Sequence, residues 1–292
     1  MFTKRLLSLI TAVHKGRDRH LAETAKSLLK QSLPAGWDFE WLVQEDGGDS
    51  GLEDVVEKFA VGDERVRYAA NGAALGPGGT RTLALLRARG ELIRTLDSDD
   101  LLLPGGLSIQ IATFSAHSDI QWSVTRLDEL MPNKNRVPYL STLDFGLVPP
   151  GLLNENMASH GRCPVHCAGL MMRADAVRAF GGWMGLPAGE DIGLLAGISE
   201  IFYGWHDPAI TWLYRRHHEQ ITESFSRQFW RTLGETVGAQ RSAAIKRLGL
   251  TVGASGSKYE PGPCSLVDGR GELRIASGFG HECPDDVIIA VP

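Results

Sequence analysis

The chain has few cysteines, only 4 in 292 residues, no apolar run long enough to cross a bilayer, and no internal repeat. Basic residues do not dominate: 30 Lys and Arg stand against 35 Asp and Glu, for a formal net charge of −5. That balance gives no electrostatic reason to expect nucleic acid or an anionic membrane as partner. The start sets Lys4 and Arg5 before an apolar stretch, as a signal peptide would, but charged residues follow at once without a convincing small-residue cleavage site. Residues 4–13 therefore read as a buried first strand, and the expected location is cytoplasmic with no integral membrane segment. No Gly-x-Gly-x-x-Gly follows that strand, which argues against a dinucleotide-binding oxidoreductase.

The scarce cysteines still raise one question. Cys163-Pro164-Val165-His166-Cys167 gathers two thiols and an imidazole, and Cys264 or Cys283 could complete four ligands. The spacing matches no common zinc knuckle, so buried thiols are the expected outcome.

What is present is an alternation of short apolar runs with helical periodicity up to about residue 100, the pattern of a parallel sheet with crossover helices. Strands are expected at 4–13, 39–44, 65–69 and 91–96. Helices are expected at 19–31, around 52–59, and at 80–88 after a glycine-dense loop at 71–79. Two strands end in acidic clusters, Glu45-Asp46-Gly47-Gly48 and Asp97-Ser98-Asp99-Asp100, and strand ends are where open α/β sheets bind ligands. Beyond that point a helix at 107–114 and a strand at 120–127 precede an aperiodic region, 131–164, read as a long functional loop and a candidate acceptor-facing lid. A strand from Ala168, a helix near 175–180, the turn Gly181-Gly182, a helix led by Glu190-Asp191, and two strands near 201–205 and 210–215 follow. A helical segment at 225–248, a Gly- and Ser-rich linker at 251–263 and two strands at 272–276 and 287–291 close the chain.

Asp97 and Asp99 are one residue apart at a strand end, so in extended backbone their carboxylates would share a side and could hold a hard divalent cation. A cation bridging diphosphate oxygens neutralises charge on a leaving nucleotide diphosphate. A solvated acidic turn is the structural alternative. Asp-x-Asp at a strand end also suits a magnesium-dependent haloacid-type phosphatase, but there the strand opens the domain, whereas here three strand-helix units precede it. A calcium loop fails because Leu102 stands where glycine is required.

The set Glu45-Asp46-Gly47-Gly48-Asp49-Ser50, Gly79-Thr80-Arg81-Thr82-Leu83-Ala84 and Arg89-Gly90-Glu91-Leu92-Ile93-Arg94-Thr95-Leu96-Asp97-Ser98-Asp99-Asp100 resembles the family-two glycosyltransferases of the GT-A fold, over about residues 5–225. The resemblance implies an α/β, GT-A-like nucleotide-sugar-binding domain at 1–225 with a mixed central sheet, and a small C-terminal helical and β appendage at 226–292. It implies a nucleotide-diphosphate sugar donor, UDP first with GDP and dTDP as alternatives, a hydroxyl-bearing acceptor such as a small metabolite, and Mn2+ or Mg2+ as cofactor. It places Thr11, Ala12 and Val13, as a loop after the first strand, and Asp46 against the base. Arg81 goes near base and phosphates, Asp97 at the ribose beside Ser98, and Asp99 on the metal.

Gly181-Gly182-Trp183 leading to Glu190-Asp191 resembles the second family signature, which implies Asp191 as the base of an inverting transferase, supported by Glu190. Without the resemblance, acids at a helix start need only the macrodipole as explanation. Tyr214-Arg215-Arg216-His217-His218 resembles the late Tyr-Arg-x-His segment, implying His217 at the metal or diphosphate. Trp183 is expected either to stack on a sugar or to lie in the core. A non-catalytic sugar-nucleotide-binding module is the rival from another class, and it would not need Asp191.

Overall fold

The first apolar run forms β1 (Arg5–His14), central in the sheet and paired in parallel with β2 (Trp37–Asp46) from Arg5 opposite Trp37 to His14 opposite Asp46. In this computed structural model residues 4–14, 18–48, 50–217 and 225–251 are described. β3 (Val66–Ala70) lies parallel outside β2, and β4 (Leu92–Thr95) lies parallel on the other side of β1. The connections are helices α1 (Leu21–Leu29), α2 (Leu52–Ala60) and α3 (Gly76–Arg87), as parallel neighbours require. Further along the chain come β5 (Leu101–Leu102), α4 (Gly106–Ala116), β6 (Trp122–Leu130), β7 (Arg136–Pro138), β8 (Gly146–Val148) and α5 (Leu152–His160). A 3-10 turn at Cys167–Gly169, β9 (Met171–Arg173), α6 (Ala174–Ala179), α7 (Glu190–Ile201), β10 (Gly204–Arg215) and α8 (Phe225–Leu248) complete the described chain. The sheet runs β3-β2-β1-β4-β9-β6-β10-β5, with β9 antiparallel to both neighbours and β6 parallel to β10. This is the mixed α/β sheet expected from the sequence.

Alternation along the strands splits the core between two faces. Leu7, Leu9, Phe39, Trp41 and Val43 pack with Leu21, Leu28, Leu52, Val56 and Ile111. Ile10, Leu42 and Ile93 pack with Ala84, Leu85, Val177, Leu194 and Ile198. The Arg89-Gly90-Glu91 approach to β4 has a packing reason. A Cβ on Gly90 would lie 2.5 Å from the Ser8 nitrogen of β1. Beside it the buried Glu40 carboxylate accepts from Ser8 Oγ at 2.7 Å and from the Arg89 amide at 2.6 Å. Burial opposes ionisation of Glu40, yet the bonds from Arg89, Ser8 and Arg67 outweigh it and hold the carboxyl below its usual range.

Several expectations are corrected. Thr11, Ala12 and Val13 are not a loop; they lie inside β1, with Thr11 and Val13 buried. Thr11 Oγ1 donates to the Leu96 carbonyl at 2.6 Å and accepts from the Trp41 indole at 2.8 Å, so its hydroxyl serves the sheet. Region 131–164 contains β7, β8 and α5; these are too short or too weakly amphipathic to show a period. Helix α3 starts inside the glycine-dense segment, with Pro77 in its first turn. Ile201 ends a helix, and β10 is one strand whose register shifts between Asp207 and Ile210 absorb Pro208. Helix α8 has the expected bounds, packs along α7, and belongs with residues 1–257 as one compact unit. The expected strands at 272–276 and 287–291 lie outside the described residues. Among the described residues no helix is long and apolar enough to cross a membrane.

Candidate functional site

The acidic segment after β4 is a turn, closed by the Asp100 amide donating to the Asp97 carbonyl at 3.3 Å. Extended geometry therefore does not persist, and Asp97 and Asp99 reach different partners. Asp99 Oδ2 meets His217 Nε2 at 2.8 Å. Burial and Asp97 raise the Asp99 carboxyl, with His217 pulling it back. Asp100 turns inward, is fully buried, and accepts from the Arg215 amide at 3.1 Å. Burial, then Asp99 and Asp97, push its carboxyl well above the usual range, against the pull of the Arg215 amide and Arg94.

Asp97 accepts from Arg81 Nη2 at 2.8 Å, and Arg81 Nη1 donates to Glu190 Oε1. One guanidinium on α3 thus joins the acidic turn to the start of α7, although Glu190 follows Arg81 by 109 residues. Burial disfavours the Arg81 charge, but Asp97, Glu190 and Asp191 outweigh it and raise its pKa. Burial and the adjacent Asp191 push Glu190 up to about 7, against the pull of Arg81. Asp191 is only partly buried, and its Oδ1 accepts from the Ile192 amide at 2.7 Å. Helix α8 fixes this terminus from behind: a Cβ on Gly234 would lie 2.7 Å from the Cα of Gly189, the α7 N-cap at φ 77°. Trp183 is 3% exposed and lies in the core cluster that contains Ile192 and Leu195, the second of its two expected places rather than a sugar-stacking one.

Asp46, at the end of β2, accepts from the amides of Leu75 at 2.6 Å and Gly76 at 3.1 Å, and thereby caps α3. His14 Nδ1 lies 3.5 Å from its Oδ2. Ala12 and His14 flank this end of β1, and Ser98 is half-buried beside Asp97.

Among the described residues no three His, Cys, Asp or Glu side chains form a ready metal cage. Asp99 and His217 offer one carboxylate and one imidazole side by side, which suits a divalent cation whose remaining positions are filled by diphosphate oxygens and water. The donors present fit such an ion. Cys163 and Cys167 are buried free thiols. Their mutual hydrogen bond and burial raise Cys167 well above the usual thiol range, which keeps it protonated. His166 turns away from a metal role: its Nδ1 accepts from the Ala168 amide, and its ring packs 4.3 Å from Tyr214. Cys264 and Cys283 lie outside the described residues.

The site also contains a face that sequence reasoning missed. Glu23 accepts from Arg215 Nη2 at 2.5 Å, and the Thr24 hydroxyl lies 3.0 Å from the Ser98 carbonyl and 2.8 Å from that of Asp100. Ser27 Oγ accepts from the Leu102 amide at 3.0 Å. The signal was legible: His20, Glu23, Thr24 and Ser27 follow helical spacing along one polar stripe of α1.

Comparison with known proteins identifies the family. The sequence model of glycosyl transferase family 2 matches residues 8–180. An uncharacterized glycosyltransferase of Methanocaldococcus jannaschii is 29% identical over 118 residues, 40% of each chain. The UDP-Glc:alpha-D-GlcNAc-diphosphoundecaprenol beta-1,3-glucosyltransferase of Escherichia coli is 33% identical over 107 residues, 37% of this chain and 40% of the relative. The aligned stretch thus spans 40% or less of the length of these curated relatives. Among solved structures, S. aureus TarS 1-349 in complex with UDP-GlcNAc superposes with a TM-score of 0.60 at 19% identity, covering 75% of this chain and 61% of that one. At that identity the likeness speaks for the fold, which is the GT-A arrangement expected from the motifs.

Proposed function

The chain belongs to glycosyl transferase family 2, and from that premise we propose that it is an inverting, divalent-metal-dependent transferase that moves a sugar from a UDP-sugar to an acceptor hydroxyl. The observation that carries this reading is the Arg81 guanidinium, hydrogen-bonded to Asp97 of the acidic turn and to Glu190 beside Asp191. It couples a donor-side carboxylate to the start of the helix that bears the base. The haloacid-type phosphatase alternative falls with family membership.

In this reading Asp46 and the end of β1 at Ala12 and His14 meet the base, and Asp97 with Ser98 faces the ribose. Asp99 and His217 would hold Mn2+ or Mg2+, which when bound would supply positive charge against the departing diphosphate. Asp191 takes the proton of the acceptor hydroxyl while that oxygen bonds to the anomeric carbon. The bond from that carbon to the diphosphate oxygen breaks, and its electron pair leaves with the nucleotide. Glu190, anchored by Arg81, keeps the α7 terminus in place. The acceptor is a small hydroxyl compound in the first reading. The E. coli relative's name specifies a lipid-diphosphate sugar, which makes that class the second acceptor to try.

Asp191→Asn should leave UDP affinity nearly intact and lower transfer by about 10²- to 10⁴-fold, the usual worth of positioned proton transfer. Proton NMR of the first-formed glycoside should show the anomeric configuration opposite to the donor's. Full activity in the Asn variant would place the base on another residue, retained configuration would point to a double displacement, and UDP binding without any transfer by the wild-type chain would point to the non-catalytic module.

A further inference from the structure

Helix α1 points a side chain at the donor site that no known role occupies. His20 is the N-cap residue of α1, and its carbonyl accepts from the amides of Glu23 at 3.0 Å and Thr24 at 3.1 Å. Its imidazole is only half-buried and makes no hydrogen bond to the described residues. The ring lies 5.1 Å from that of His217, tilted by 54°, and His217 Nε2 is in turn 2.8 Å from Asp99. The helix cannot drift relative to the acidic turn. Thr24 is fully buried between the Ser98 and Asp100 carbonyls, and Glu23 binds Arg215, whose Nε donates to the Asp99 carbonyl at 2.7 Å. Among the described residues, His217, Asp99 and Arg215 near the ring belong to the segment that would face a nucleotide diphosphate.

We propose that His20 donates a ring N–H to a diphosphate oxygen of the sugar donor, and so belongs to the donor-binding residues. The bond strengthens as negative charge gathers on the departing diphosphate, and no proton changes hands. A metal-ligand role is the less fitting alternative, because His20, Asp99 and His217 do not converge as a three-ligand cage. This inference rests on the proposed donor site, and the controls separate the two.

The test is titration calorimetry of UDP and of uridine, with and without Mn2+, on the full chain and on His20→Ala, His20→Gln and His20→Phe. Wild type should bind UDP. His20→Ala should bind it about tenfold more weakly with uridine affinity unchanged, and His20→Gln, which keeps an N–H donor, should recover much of the loss. His20→Phe, which keeps only a ring against His217, should behave like Ala. Recovery by Phe, equal losses for UDP and uridine, or weaker Mn2+ binding without nucleotide would each overturn the assignment. A wild-type chain that binds no UDP would remove the donor site itself, and this inference with it.

Discussion

Glu190 and Asp191 are neighbours in sequence, yet Glu190 is buried against Arg81 while Asp191 keeps part of its surface in solvent. The difference has a thermodynamic consequence. Burial and Asp191 lift Glu190 to about 7, so the folded chain holds a proton there that the unfolded chain has already released. The stability tied to that proton is complete below the ordinary carboxyl pKa and is lost as pH rises through about 7. Melting temperature should therefore fall across roughly pH 5 to 8, and Glu190→Gln should flatten that part of the profile; an unchanged slope would place the titration elsewhere. Individual residues were unevenly legible. Asp99 and His217 were singled out and do meet, and the Arg81 to Asp97 and Glu190 contacts join segments that local pattern could only name separately. The burial of Asp100 was invisible, because its partners, the Arg215 amide and Thr24 of α1, lie far away in sequence.

At the scale of elements, α1 acts through its polar stripe as much as through its apolar one. The Thr24 hydroxyl is the link between this helix and the acidic turn. Thr24→Val keeps the shape, deletes the donor, and leaves two buried carbonyls without it, at a cost of about 1–3 kcal/mol. The expected result is a raised Mn2+ requirement for UDP binding with a modest loss of thermal stability, and recovery of both in Thr24→Ser. A stability loss with unaltered metal dependence would reduce Thr24 to a packing residue. Long periodic elements are legible in the sequence: α8 runs from Phe225 to Leu248 as the pattern implies, and β1 to β4 alternate with α1 to α3 in the expected order. The pieces between 131 and 164 were not, because three-residue strands such as β7 and β8 exist only through pairing with β6 and β10. Helix α3 gained its first turn from the Asp46 carboxylate, a cap supplied from 29 residues upstream.

For the whole molecule the strand order with β9 set antiparallel between β4 and β6 was beyond the sequence, which signalled a mixed sheet without its order. If the acidic turn, Asp46 and His217 form one donor site, UDP with Mn2+ should stabilise the fold as a unit. At ligand about 100-fold above Kd the gain is about 2.7 kcal/mol, which for a domain of this size is roughly 5–10 °C in Tm. Differential scanning fluorimetry with UDP plus Mn2+ against UDP plus chelator checks it, and equal shifts in both would argue against a metal-bridged donor. One contact also limits how this architecture can be recombined. Gly234 and Gly189 touch backbone to backbone with no volume to spare. A C-terminal helix grafted from a relative will seat only if it brings a glycine to that point, and a library built by shuffling segments at residue 225 should yield active chimaeras solely from parents that share the pair.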